Sequence, residues 1–242
     1  MAIKLTIDGR EVEAKAGATI REAALSLGID TPTLCYHPHL NCGSNCRACV
    51  VEMDGSRTLV PSCSRPVSPG MVIKTASDRV RHARKMVFEL LMTEVETDAA
   101  PELLAYARYY SADPGRYPAA VNAAREREPI IDNPFFARDY AKCIACQRCV
   151  RACGEDVQHT FAIQMIGRGH EISVGAGAAG DDLTNSPCVF CGNCVGVCPT
   201  GALMPLAEFD ARKEGLLESP ELFWSPTAGF TGPGTPARKE GA

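Results

Sequence analysis

The chain has 242 residues, with 25 Lys and Arg against 29 Asp and Glu, a formal charge of −4. That length holds two or three small domains, and that charge excludes a polycation built for nucleic acid. Thirteen cysteines stand out. No apolar h-region opens the chain and no apolar run approaches roughly 18 residues, so a cytoplasmic chain without a membrane span is expected. In that compartment metal binding is the better reading of the cysteines than a disulfide framework.

Ile3-Lys4-Leu5-Thr6-Ile7 alternates, Asp8-Gly9 offers a tight turn, and Glu11-Val12-Glu13 resumes, which predicts a β-hairpin. Thr19 is placed to cap a helix that ends at Gly28. Val50–Met53, the turn Asp54-Gly55 and residues 58–60 predict a second hairpin. A small mixed sheet with one helix across it follows. Between helix and second hairpin lies the first cysteine group, spaced Cys35-x10-Cys46-x2-Cys49-x13-Cys63. A loop suits such a group, because four thiolates must converge and the sulfurs need backbone N–H donors nearby. Gly43, expected in a left-handed conformation, and Ser44 suit the tight wrap. Cys42 is a fifth thiol, spare or exchanging with Cys46. Zinc is the alternative occupant.

Leu34-Cys35-Tyr36-His37, Cys46-Arg47-Ala48-Cys49-Val50-Val51-Glu52 and Ser62-Cys63-Ser64-Arg65-Pro66-Val67-Ser68-Pro69-Gly70-Met71 carry a resemblance. They are similar to the [2Fe-2S] ferredoxin domain that opens the large iron–sulfur subunit of respiratory complex I. The same domain opens NAD-linked formate dehydrogenases and the diaphorase part of NAD-reducing hydrogenases. The resemblance implies a β-grasp domain over residues 1–78 with one [2Fe-2S] cluster on Cys35, Cys46, Cys49 and Cys63.

Residues 79–140 read as a helical linker. Asp78 is expected to cap a helix over 79–94 whose apolar face is Val80, Ala83, Val87, Leu90 and Leu91, with Arg79, Arg81, Arg84 and Lys85 mostly on its solvated side. The resembled family holds a further [4Fe-4S] cluster after this helix on one histidine and three cysteines. Residues 91–100 contain neither, so that cluster is expected to be absent, carboxylates being poor substitutes for soft thiolates. His82 is expected on the surface. Pro101 opens a second helix, to Tyr110, with Leu103, Leu104, Ala107 and Tyr110 as its stripe. Residues 116–134 carry no clear strand.

Residues 141–206 contain two runs of C-x2-C-x2-C-x3-C: Cys143, Cys146, Cys149 and Cys153, then Cys188, Cys191, Cys194 and Cys198 with Pro199. This is the pattern of a bacterial two-[4Fe-4S] ferredoxin, in which the fourth cysteine of each run ligates the other cluster. The expected sets are Cys143, Cys146, Cys149 and Cys198 for one, and Cys188, Cys191, Cys194 and Cys153 for the other. Ile144, Val150, Val189 and Val195 are expected to exclude water, and Ala145 and Gly192 to let backbone approach the sulfurs. Arg47 and Arg148, each beside a ligand, are placed to raise a cluster's potential or to meet solvent and partners. Zinc sites or redox disulfides are the alternatives. A hairpin around Gly167–Gly169 fills the insert. Gly175-Ala176-Gly177-Ala178-Ala179-Gly180 spells a dinucleotide fingerprint but lacks its strand–helix context. His159 and His170 have no partner pattern.

Residues 207–242 form a tail, with a short helix over 210–217, a Gly/Pro/Thr-rich end and Leu222-Phe223-Trp224 as a docking segment. The fold class is α+β. No residue set makes or breaks a substrate bond, so the chain itself is expected to carry no catalytic residue. The reading is an electron-transfer iron–sulfur subunit with one [2Fe-2S] and two [4Fe-4S] clusters. The resemblance implies a partner flavoprotein binding FMN and NAD, and a catalytic partner. A formate dehydrogenase with a molybdenum or tungsten pterin is favoured, on Asn133-Pro134-Phe135-Phe136-Ala137-Arg138-Asp139-Tyr140. The diaphorase side of a [NiFe] hydrogenase is the alternative; a free multi-cluster ferredoxin and a structural or regulatory subunit are the others.

Overall fold

The computed structural model describes residues 2–118, 128–169, 172–176 and 182–217. His170, the glycine run beyond Ala176 and the Leu222-Phe223-Trp224 segment lie outside them.

The first 75 residues build one five-stranded mixed sheet. Strands β1 (Ala2–Ile7) and β2 (Arg10–Lys15) form the expected hairpin. Asp8 and Gly9 both take positive φ, 48° and 77°, the backbone a tight two-residue hairpin turn requires. Helix α1 (Ile20–Ser26) is capped by Thr19 in a reciprocal box with Glu22 and buries Ile20, Ala23 and Ala24 against the sheet. Strand β3 (Val50–Met53) pairs antiparallel with β4 (Val60–Pro61). The sheet closes through β5 (Val72–Lys74), which runs parallel to β1 and antiparallel to β3, in the order β2-β1-β5-β3-β4. Three residues are too short to show alternation. β5 is a strand because its neighbours on both sides offer backbone partners, as in Asp8 N to Ile73 O at 2.9 Å and Asp54 N to Val72 O at 2.9 Å.

Helix α2 (Asp78–Glu94) is capped by Ser77 rather than Asp78. Its buried face also differs from expectation: Val80, Arg84, Phe88, Glu89 and Thr93 point inward, whereas Leu90 is exposed. The cause is α3 (Pro101–Tyr109), which brings Tyr106, together with Tyr110 just beyond it, onto Phe88 with both ring centroids 5.5 Å away. Arg84 is buried by polar partners. Its Nε and Nη2 donate to the Val50 carbonyl at 3.2 and 2.9 Å, and Nη1 donates to the Tyr110 hydroxyl at 2.8 Å. Glu89, also buried, accepts from Asp113 N and pairs with Lys85 and Arg116. His82 is exposed, as expected.

The remaining elements wrap the two later cysteine runs. Strand β6 (Phe136–Arg138) pairs with β9 (Leu203–Pro205), and β7 (Gln164–Ile166) with β8 (Ser173–Gly175), the hairpin expected in the insert. Each run carries a short helix, α4 (Arg148–Cys153) and α5 (Asn193–Gly196). Helix α6 (Leu206–Lys213) starts four residues earlier than the 210–217 expected, directly after β9. Arg138 is fully buried and paired with Asp132 at 2.7 Å.

Candidate metal centres

The first module gathers five thiols. Leu34 N donates to Cys46 Sγ at 3.4 Å, Cys49 Sγ lies 3.2 Å from Cys63 Sγ, and Cys42 Sγ lies 3.1 Å from Cys63 Sγ. The fifth thiol therefore neighbours Cys63 rather than Cys46, its partner in the exchange alternative. The wrap is also built differently from expectation. Ser44 and Arg47 take the left-handed backbone, at φ 53° and 59°, and Gly43 does not. A Cβ on Gly43 would lie 2.9 Å from Asn45 Nδ2 and 3.2 Å from the guanidinium carbon of Arg151, so this glycine serves a close approach. The Cys35 thiol is held far below the ordinary range because it accepts from Cys46 and Cys63, with burial opposing. Cys46, sharing its proton with Cys35, is pushed well up. Cys49 is lowered to about 7, chiefly by its hydrogen bond with Cys63.

The two later runs share one local design. Ala145 N donates to Cys143 Sγ and Phe190 N to Cys188 Sγ, both at 3.4 Å. Ala145 and Phe190 take φ of 50° and 53°, and Gln147 and Gly192, before the two short helices, 63° and 77°. These conformations turn backbone N–H groups toward sulfur. Cys143, Cys146, Cys149 and Cys198 line one cavity, closed by Tyr140, Ile144, Val174, Thr200 and Leu203. Cys149 has Cys198 and Cys194, one from each expected set, among its electrostatic neighbours. Cys143 and Cys146 feel Cys198, and Cys194 feels Cys153, Cys191 and Cys188. Burial pushes Cys143 to about 12, Cys146 to about 11 and Cys194 to about 12.

All-thiol sets with N–H donors aimed at sulfur are the donor chemistry iron–sulfur clusters use. Thiols this buried become ligands only when a metal's positive charge replaces the proton. Among the described residues, no group of three or more His, Cys, Asp or Glu side chains is placed to hold a metal ion.

Around the thiols the two arginines separate. Arg47 is exposed, whereas Arg148 is 2 % exposed, draws Cys146 downward and has its Nη2 4.0 Å from Glu102. The second run is the open one. Val189 is 56 % exposed and does not exclude water as expected, and Cys191 is exposed beside it. Cys191 opens onto a cavity of about 550 Å³ shared with His37, His39, Phe135 and Val157. His37 is lowered to about 4 by burial and by Arg148, His39 and Arg151, and is neutral at pH 7. His159 is exposed. Sequence reasoning missed Glu102, Arg151 and Asp156, whose roles depend on partners far along the chain.

Residues 1–78 match a 2Fe-2S iron-sulfur cluster binding domain, and residues 133–204 match the ferredoxin-like domain of NADH-quinone oxidoreductase subunit 3. The NADP-reducing hydrogenase subunit HndD of Solidesulfovibrio fructosivorans is 38% identical over 84% of this chain and 36% of its own length. The mitochondrial NADH-ubiquinone oxidoreductase 78 kDa subunit of Candida albicans is 32% identical over 83% of this chain and 28% of its own length. The chain thus spans about a quarter to about a third of these curated relatives. A chain in the crystal structure of an NAD+-reducing [NiFe]-hydrogenase in the H2-reduced state superposes with a TM-score of 0.73 at 27% identity, covering 85% of this chain and 88% of that one. In sequence and fold, the chain is a homologue of the iron–sulfur subunits of complex-I-like oxidoreductases and of NAD(P)-linked hydrogenases.

Proposed function

We propose that this chain is the electron-relay subunit of an NAD-linked hydrogenase. It would stand between a flavoprotein subunit that binds FMN and NAD and a [NiFe] catalytic subunit. One observation carries the reading: the fold matches 88% of one chain of an NAD+-reducing [NiFe]-hydrogenase. The curated relatives reported above are hydrogenase and ubiquinone-oxidoreductase subunits, which favours the hydrogenase alternative over the formate dehydrogenase expected from residues 133–140.

The proposed ligands are Cys35, Cys46, Cys49 and Cys63 for a [2Fe-2S] cluster. Cys143, Cys146, Cys149 and Cys198 would hold one [4Fe-4S] cluster, and Cys188, Cys191, Cys194 and Cys153 the other. When bound, such clusters accept and release single electrons, the currency into which a flavin divides a hydride. This chain's residues supply the setting. Leu34, Ala145 and Phe190 direct N–H groups at sulfur, and Tyr140, Val174 and Leu203 keep water from the Cys143 set. Arg148 places a buried positive charge beside Cys146, which favours the more negative, reduced form. The first module touches the Cys143 set directly: the Cys146 thiol feels the charge of Cys35, and Asn45 donates to the Cys146 carbonyl at 3.1 Å. That contact supports a route from the first module straight into the second. The exposed Cys191 corner is the proposed side for a partner.

The test is anaerobic purification of the native assembly, with its subunits identified by mass spectrometry and its metals and flavin quantified. FMN, nickel and iron with a flavoprotein subunit are the expected outcome. A molybdenum or tungsten pterin subunit returns the formate reading, and a chain that runs alone with its iron overturns the subunit reading.

A further inference from the structure

Arg151 spans the seam between the two thiol-bearing loops. From α4, its Nε donates to the Gln147 carbonyl at 3.2 Å. Its Nη2 donates to the Cys35 carbonyl at 2.7 Å and reaches the Cys146 carbonyl at 3.5 Å. Its Nη1 donates to the Asn41 carbonyl. Asn41 is held from its other side, where its backbone N and Nδ2 donate to the Asp156 carboxylate at 2.8 and 2.6 Å. Asn45, next to Cys46, adds a donor to the Cys146 carbonyl at 3.1 Å. Gly43 leaves the space that the Asn45 amide and the Arg151 guanidinium, the two donors across the seam, occupy.

We propose that Arg151, braced by Asp156, is the positioning residue that sets the separation between the first-module site and the Cys143–Cys146–Cys149–Cys198 site for single-electron transfer. The inference rests on the ligand sets proposed above. In the step it serves, one site loses one electron and the other gains it; no bond forms or breaks and no proton moves. Such transfer depends steeply on separation, so whatever fixes the two loops against each other fixes the rate. A guanidinium suits the task. Its planar fork engages several carbonyls at once, including those of two cysteines on opposite sides of the seam, which a lysine ammonium on a flexible stem does not reproduce. The fork bonds backbone, not side chains, so it holds the loops that carry the thiols. The Asp156 carboxylate adds charge-assisted bonds that keep Asn41, and with it the loop, against α4.

The test uses the cluster-loaded full chain, reduced with dithionite under anaerobic conditions. Arg151→Lys, Arg151→Gln, Gly43→Ala and Asp156→Ala are compared with the unaltered protein. Three quantities are read: each site's potential by redox-titrated EPR, the relaxation enhancement of the reduced [2Fe-2S] signal by its reduced neighbour, and the rate of inter-site equilibration after partial photoreduction. Arg151→Lys keeps the charge, so the potentials hold while relaxation enhancement weakens and the rate falls by at least about tenfold. Gly43→Ala, whose Cβ crowds both Asn45 and Arg151, moves both readings the same way with Arg151 intact. Unchanged enhancement and rate in both Arg151 variants overturns the proposal, as does a rate loss fully accounted for by a shifted potential. If the Arg151 variants fail to load, Asp156→Ala decides by the same two readings. An unaltered chain without a [2Fe-2S] signal removes the ligand assignment, and the clamp with it; loaded sites whose coupling ignores the clamp remove the clamp alone.

Discussion

Glu102 is a carboxyl in the first turn of α3, 7 % exposed, with Arg148 Nη2 4.0 Å away. Burial pushes it up from 4.5 to about 7; Arg148 opposes that, and Asp30 adds to it. Because the folded value lies above the unfolded one, the folded state holds its proton longer. Below about pH 4.5 both states are protonated and Glu102 costs nothing. From about pH 4.5 to 7 the unfolded carboxyl is ionised while the folded one keeps its proton, and stability falls. At 1.36 kcal/mol per pH unit, the full loss above pH 7 is about 3 kcal/mol. Glu102→Gln keeps the shape and removes the titration. The variant is therefore expected to be more stable by about 3 kcal/mol at pH 8 and by about 2 kcal/mol at pH 6, converging with the unaltered protein toward pH 4.5. For a chain of this size the gain at pH 8 is a rise in thermal midpoint of about 6–12 °C. The assay is thermal unfolding of the cluster-loaded protein, anaerobic and at one heating rate, at pH 6, 7 and 8. The opposing physics is the ion pair. Were Glu102 held ionised by Arg148, the glutamine would strand a buried guanidinium and destabilise by about 3–5 kcal/mol at pH 8. A lower midpoint at pH 8, or a gain that does not shrink toward pH 6, refutes the reasoning.

Three further outcomes are expected. Arg84→Met removes every donor to the Val50 carbonyl and Tyr110 hydroxyl described for this side chain; it is expected to destabilise by about 3 kcal/mol, with Arg84→Lys recovering part of that, in thermal unfolding. Gly201 has φ +68°, and a Cβ there would lie 2.7 Å from Ala99 Cβ; Gly201→Ala is expected to cost about 2 kcal/mol, read as a lower midpoint and a faster loss of iron to a chelator. Arg148→Gln removes the buried charge beside Cys146 and is expected to lower the potential of that site by about 60 mV, the one-electron equivalent of a tenfold change; redox-titrated EPR with an unchanged potential contradicts it.

What the sequence alone determined is local. Asp8-Gly9 makes a hairpin turn because its own backbone prefers it, and Thr19 caps α1 through a glutamate three residues on. The cysteine spacings and the twin geometry of the Cys143 and Cys188 loops are local too, since each N–H to sulfur contact spans two residues. Tertiary structure decided everything that depends on distant partners. β5 is a strand only because β1 and β3 flank it, and the face of α2 is turned by the rings of α3. Arg84, read as a solvated charge, is buried by a carbonyl 34 residues away and a hydroxyl 26 residues away. Arg151 meets Cys35 across 116 residues. A charged side chain looks solvent-bound in any local pattern, because the desolvation it bears is offset only by partners the fold brings to it. For that reason the thiols were legible in the sequence, and the contacts that join their loops were not.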